Sequence, residues 1–357
     1  MNTLIDILSM RREHDSMGED NFISTYIHPL KPEVKCDDEG NVLAYVVDNS
    51  KGKSTILWSS HIDTMHRNKT KDPDQLMQEV WVDEEGIAFV SDKDDCLGAD
   101  DGAGIWLMLE MIKADCAGTY IFHRGEEKGC WGSSRMAVHH ATWLSNFTHA
   151  IAFDRRGNTS IITHQTGARG CSDALGNRFI ELLNMGHELD PTGVYTDTAE
   201  YMELIPECVN VSAGYQGEHS SRETLDTNYI LALRDAMCTV DWLTAELPVD
   251  RDPTVYEGRY GGYDGYNSYT NWPTYNKDDV FALDEHDIPQ VKDLIGATTA
   301  DIRKWVRATK TENLVWLIED LVSEIAELNY QLEEASDLQY MADDDGDESE
   351  MYLKVGL

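Results

Sequence analysis

Apolar positions along the first 250 residues fall into two alternating patterns. Short runs rich in Val, Ile, Thr and Tyr recur at 41–47, 55–60, 86–91, 120–123, 150–154, 160–163 and 208–213. Runs of that length and composition predict β-strands. Between them, 101–113, 132–140, 172–185, 197–204 and 226–246 carry the three- and four-residue spacing of amphipathic helices. Strand–helix alternation predicts an α/β fold, a mixed and largely parallel sheet flanked by helices on both faces. Residues 1–16 interleave Asp6, Arg11, Arg12, Glu13 and Asp15 with apolar positions. They read as a short amphipathic helix, since a signal peptide has a basic start and an unbroken apolar run.

The pattern changes near residue 250. Residues 251–276 are crowded with Gly, Tyr and Asn and read as a linker. Residues 277–340 return to helical spacing as an extension. Within it Leu314, Ile318, Leu321, Ile325, Leu328 and Leu332 are four and three residues apart in alternation, a heptad seam. Such a seam either joins chains into a homo-oligomeric coiled coil or docks on the chain's own first domain. Residues 341–357 form an acidic tail of the solvated, disordered type.

Composition narrows the partners. A net charge of -37, from 29 basic and 66 acidic residues, removes the basic footprint of a nucleic-acid or anionic-membrane binder. It favours cationic partners, metal ions among them. No apolar run approaches the roughly 20 residues that span a bilayer. Seven scattered cysteines with no CxxC spacing suit a reduced, cytoplasmic setting.

Five segments carry candidate chemistry. His61 and Asp63 lie in Ser59-Ser60-His61-Ile62-Asp63-Thr64, at the end of a predicted strand, where open α/β sheets place ligands. Asp63 can hold the His61 imidazole through its second nitrogen and so fix the tautomer. Asp100 and Asp101 open a helix inside Leu97-Gly98-Ala99-Asp100-Asp101-Gly102-Ala103-Gly104, where flanking glycines let the backbone turn sharply. Glu126 and Glu127 follow a strand in Gly125-Glu126-Glu127-Lys128-Gly129, one able to bind a metal while the other moves a proton. Asp154 ends an apolar strand, and His219 sits in Gly217-Glu218-His219-Ser220-Ser221 before a helix. Each alone has an ordinary reading: a loop histidine, acids at the positive end of a helix dipole, a solvated Glu pair. Together they supply imidazole nitrogen and carboxylate oxygen, the donors zinc takes. Two divalent ions would be balanced by three carboxylates and one hydroxide, which a partly buried site tolerates. Asp197 reads as a helix N-cap, or as a residue near the substrate.

In these residues, over about 40–245, the chain resembles the co-catalytic dizinc exopeptidases, the leucine-aminopeptidase-like and tripeptidase T-like zinc peptidases. The resemblance implies that Asp100 bridges two ions, that His61 and Asp154 complete one site, and that Glu127 and His219 complete the other. It implies that Glu126 is the general base, acting on a water that bridges the ions, and that Asp63 orients His61. It also implies a cis peptide bond between Asp100 and Asp101. The metals would be two Zn²⁺, with Co²⁺ or Mn²⁺ able to occupy the same ligands, and the substrate a peptide cut at one end, an aminopeptidase reaction first. Residues 1–250 would be the catalytic domain, because Asp63 to Asp100 and Asp154 to His219 are too short for the inserted lid or dimerisation domain of many relatives. Arg155 and Arg156, directly after Asp154, depart from the pattern. If they grip a substrate carboxylate, a carboxypeptidase or a deacylase of N-acyl amino acids becomes the alternative. A catalytically silent assembly scaffold is the alternative outside enzymes.

Overall fold

The computed structural model describes residues 2–66, 76–90, 96–165 and 167–253. The heptad seam, the acidic tail and nearly all of the expected linker lie outside them.

The main sheet has eight strands. They are β1 (Glu33–Cys36), β2 (Val42–Asn49), β3 (Ile56–His61), β6 (Gly118–His123), β7 (His149–Arg155), β8 (Ser160–Ile162), β11 (Glu188–Asp190) and β12 (Glu207–Ser212). Two smaller sheets are formed by β4 (Val80–Val82), β5 (Ile87–Val90), β13 (Tyr215–Gln216) and β14 (Thr224–Asp226), and by β9 (His164–Gln165) and β10 (Ala168–Arg169). The spatial order is β1-β2-β6-β3-β7-β12-β8-β11. Its centre, β6-β3-β7-β12, is parallel, while β1, β2 and β8 join antiparallel. The expected mixed, largely parallel sheet is therefore present.

Side chains along the central strands alternate between two cores, as period-two geometry requires. Trp58, Tyr120, Phe122, Ile151, Phe153, Val209 and Val211 face one cluster, while Leu57, Ile121, Ala150 and Cys208 face the other. The first cluster is roofed by α1 (Asn2–Leu8), α2 (Met17–Phe22), α3 (Ala99–Lys113), α6 (Asp173–Leu183) and α7 (Thr227–Thr239). The second is roofed by α4 (Trp131–His139), α5 (Ala141–Leu144) and the 3₁₀ turn Asp197–Tyr201. Burial of almost the whole circumference of α3 marks it as the central helix.

All seven sequence-expected strands form, with ends shifted by one or two residues. Three helical expectations need correction. Residues 1–16 form α1 only to Leu8, because Arg12 turns inward and is fully buried. Residues 197–204 give a short 3₁₀ turn, not an α-helix. The helix expected to reach residue 246 stops at Thr239, where Trp242 folds back, donates to the Met237 carbonyl at 2.8 Å and packs on Trp58 at 4.9 Å. Strands β1, β4 and β11 had no apolar run to announce them: they are short and mostly exposed or half-buried. Four short strands form a second sheet in the order β13-β14-β5-β4. Among the described residues no helix is long and apolar enough to cross a membrane.

Candidate active site

The C-terminal ends of the parallel strands bring the sequence motifs together. His61 is the last residue of β3 and pairs in register with His123, the last of β6. Asp154 lies one residue from the end of β7. Glu126 and Glu127 form a 3₁₀ turn just past β6. Asp100 enters at the head of α3, where Gly98 adopts φ 72° so that the chain can turn into the helix, and the Asp100–Asp101 peptide bond is cis. His219 comes from the loop between β13 and β14 and holds a left-handed φ of 60°, uncommon for a residue with a side chain.

Asp100 stands at the centre. Its Oδ1 lies 3.1 Å from His61 Nε2 and its Oδ2 3.2 Å from His219 Nε2. Asp154 Oδ1 is 3.7 Å from His61 Nε2, and Glu127 Oε1 is 3.1 Å from His219 Nε2. Two compact ligand groups result, His61–Asp100–Asp154 and Asp100–Glu127–His219, sharing one carboxylate. Atoms bound to one zinc at about 2.1 Å in a tetrahedron lie about 3.4 Å apart, so these spacings match the edges of such a shell.

Hydrogen bonding points the same way. His61 Nδ1 is 2.9 Å from the main-chain oxygen of Asp63, to which it donates. With Nδ1 committed in this way, His61 presents Nε2 to the carboxylates of Asp100 and Asp154, the nitrogen that a neutral imidazole would offer to a metal. The expected role of Asp63 is thus filled by its carbonyl. Its carboxylate instead accepts from the main-chain nitrogens of Gly125, Glu126 and Glu127 at 2.8, 3.1 and 3.2 Å, fixing the Glu-pair turn. Tyr215 donates its hydroxyl to Asp154 Oδ1 at 2.9 Å. Glu127 Oε1 is buried against the His219 imidazole.

Charge is crowded. Burial, with Asp154 nearby, pushes the Glu126 carboxyl well above the usual range. Burial also lifts Glu127 to about 7 and Asp154 to about 6, the latter helped by Asp100. Burial opposes charge on His61, but Asp100 and Asp154 outweigh it and raise its pKa well above 6.5. Asp100 and Glu127 hold His219 up at about 11. A cluster with that many buried carboxylates is electrostatically incomplete by itself. Imidazole and carboxylate donors at shell-edge spacings fit bound metal.

A third group, His14–Asp15–Glu19, has similar composition. Arg124 already fills the place of a cation there, with bonds of 2.9 and 2.7 Å to Glu19 and 3.0 Å to Asp15. Asp197 is fully buried. Its carboxylate lies 3.1 Å from His123 Nδ1, while Thr196 occupies the N-cap position, so the N-cap expectation is corrected. Arg155 pairs with Asp190 at 3.3 Å and Arg156 with Glu218 at 3.1 Å.

Several contributors escaped the sequence reading. Glu223 accepts from Gly98 N and Asp100 N, both at 2.9 Å, and lies four residues after His219. Arg12, His123 and Tyr215 gave no sequence signal, because their contacts reach across the fold.

Comparison with known proteins agrees with this geometry. Residues 41–185 match the family model described as peptidase family M28. A tripeptidase from Staphylococcus aureus subsp. aureus Mu50 has a similar structure, with 13% identity, a TM-score of 0.52, and coverage of 68% of this chain and 97% of its own. The aminopeptidase PepT from Bacillus cereus ATCC 10987 gives 13% identity and a TM-score of 0.51, over 69% of this chain and 97% of its own. No curated protein sequence matches the chain significantly. Residues 41–185 are thus similar to peptidase family M28, and the sheet architecture is shared with both peptidase structures.

Proposed function

We propose that this chain is an aminopeptidase working with two zinc ions, one held by His61, Asp100 and Asp154 and the other by Asp100, Glu127 and His219. The observation that carries the reading is the placement of Asp100, each of whose oxygens faces a different imidazole. When bound, the ions lower the pKa of water and polarise the scissile carbonyl. Glu126 takes the proton of the attacking water and returns it to the leaving amine, a task suited to a carboxyl whose pKa burial holds well above the usual range. Asp63 holds the turn that aims Glu126, through three main-chain bonds. His61 is locked as a ligand by the Asp63 carbonyl.

The choice of the amino end rests on charge. Arg155 and Arg156 are committed to Asp190 and Glu218. The surroundings of Asp154, Glu126 and Asp197 are acidic, which suits a cationic α-amine over a carboxylate. The names of the two similar structures, a tripeptidase and an aminopeptidase, are in keeping with this.

Glu126→Gln is expected to keep both metals and lose turnover by about 100-fold or more. Full activity in that variant removes Glu126 from the mechanism. A panel of aminoacyl anilides, dipeptides and N-acetyl amino acids, with and without chelator, tests the substrate class. Chelator-sensitive loss of the N-terminal residue supports the proposal. Trimming from the carboxyl end, or cleavage of N-acetyl amino acids alone, contradicts it.

A further inference from the structure

Arg12 is the largest charged side chain among the fully buried described residues, and its guanidinium donates to main-chain carbonyls. Its Nε donates to the Ile62 carbonyl at 2.9 Å and its Nη2 to the Gly98 carbonyl at 2.9 Å. Nη1 reaches the carbonyls of Ile7 and Met10 at 2.7 and 3.2 Å. Its guanidinium carbon lies 5.0 Å from the centre of the Phe22 ring. The main chain adds one more tie, since Thr64 N donates to the Arg12 carbonyl at 2.9 Å.

Those acceptors occupy particular places. Ile62 lies between His61 and Asp63; Gly98 lies two residues before Asp100. Glu223 grips the same Gly98–Asp100 turn from its amide side. The loops that carry His61 and Asp100 are thus joined by one planar fork, 50 residues from Ile62 and 86 from Gly98 in sequence. Only arginine presents several coplanar donors on one rigid group, and a lysine cannot span the same acceptors.

We propose that Arg12 is a positioning residue: its guanidinium sets the spacing between His61 and the bridging carboxylate of Asp100, and so the affinity of the metal centre. The inference rests on the two-metal reading above. It also gives the N-terminal segment, which lies outside the family-matched residues 41–185, a part in the active site.

The test compares the full-length chain with Arg12→Met and Arg12→Lys. Three readouts are taken: zinc affinity by competition with a chromophoric chelator, the visible spectrum of the Co²⁺-loaded protein, and kcat and KM. Arg12→Met is expected to weaken metal binding by about 10- to 100-fold, the usual scale for groups that orient ligands. It should alter the Co²⁺ bands and lower kcat while KM moves less than about threefold. Arg12→Lys keeps the buried charge and should shift the same readouts in the same direction by less. If Arg12→Met does not fold, Arg12→Lys carries the test. A folded Arg12→Lys with the parent's metal affinity, Co²⁺ spectrum and kcat overturns the proposal. A parent chain that binds no metal would instead overturn the two-metal reading itself. Metal binding in the parent with no change in either variant defeats only the role of Arg12.

Discussion

Asp100 faces His61 with one oxygen and His219 with the other, and its main-chain nitrogen donates to Glu223. Its neighbour Asp101 has a different task. Asp101 accepts from His61 N at 3.2 Å and Gly104 N at 3.0 Å, tying β3 to α3. The pair could not be told apart in the sequence, where both are acids at a helix start; only the direction of each side chain separates them. The candidate ligands could be picked out because each lies near the end of a predicted element. Arg12, buried beneath those elements, was not. Away from the metal centre, Glu19 gives a prediction in acid. Burial alone would raise its pKa, but hydrogen bonds from Arg124 and His14 override this and hold it near 2 against an ordinary value of 4.5. A depressed folded pKa contributes stability above the unfolded value, and that contribution is lost as pH falls through the folded one. The contribution is on the order of 3 kcal/mol at neutral pH. Glu19→Gln should therefore be markedly less stable than the parent at pH 7 by denaturant melts, with the gap closing between about pH 4.5 and pH 2. A gap independent of pH would show that the ion pair does not set this stability.

At the scale of elements, the α3–sheet contact explains why small residues recur in the head of that helix. A Cβ on Gly104 would stand 2.2 Å from Asp101 Oδ1, 2.6 Å from Ser60 Oγ and 2.7 Å from the Phe153 carbonyl. The glycines of the motif were read as aids to a sharp turn. Gly98 serves that purpose, whereas Gly104 permits close approach of α3 to β3 and β7. Gly104→Ala is expected to lower stability by about 1–3 kcal/mol, the usual cost of overpacking, visible as a reduced melting temperature. An unchanged melting temperature would mean that the helix can shift away from the sheet. Strong apolar runs such as β3, β7 and β12 were readable because both sheet faces bury them. The peripheral strands β1, β4 and β11 were not, since pairing with a neighbour stabilises them and their own residues stay largely half-buried or exposed.

For the whole molecule, the net charge of -37 has a thermodynamic consequence. Repulsion among acids opposes compaction and is screened within about 8–10 Å at physiological salt. The melting temperature should rise as NaCl is increased from about 10 mM to several hundred millimolar. A fall, or no change, would show that local ion pairs such as Arg124–Glu19 outweigh the net repulsion. The fold class was readable from alternation alone, and the convergence of five distant side chains only from their order along the chain. The metal pair remains the claim on which the enzyme reading stands. Its most direct test is anomalous diffraction at the zinc edge from crystals of the full-length, zinc-loaded chain. The account predicts two peaks about 3.5–4 Å apart on either side of the Asp100 carboxylate, one against His61 and Asp154 and one against Glu127 and His219. A single peak, or zinc bound away from Asp100, would contradict it.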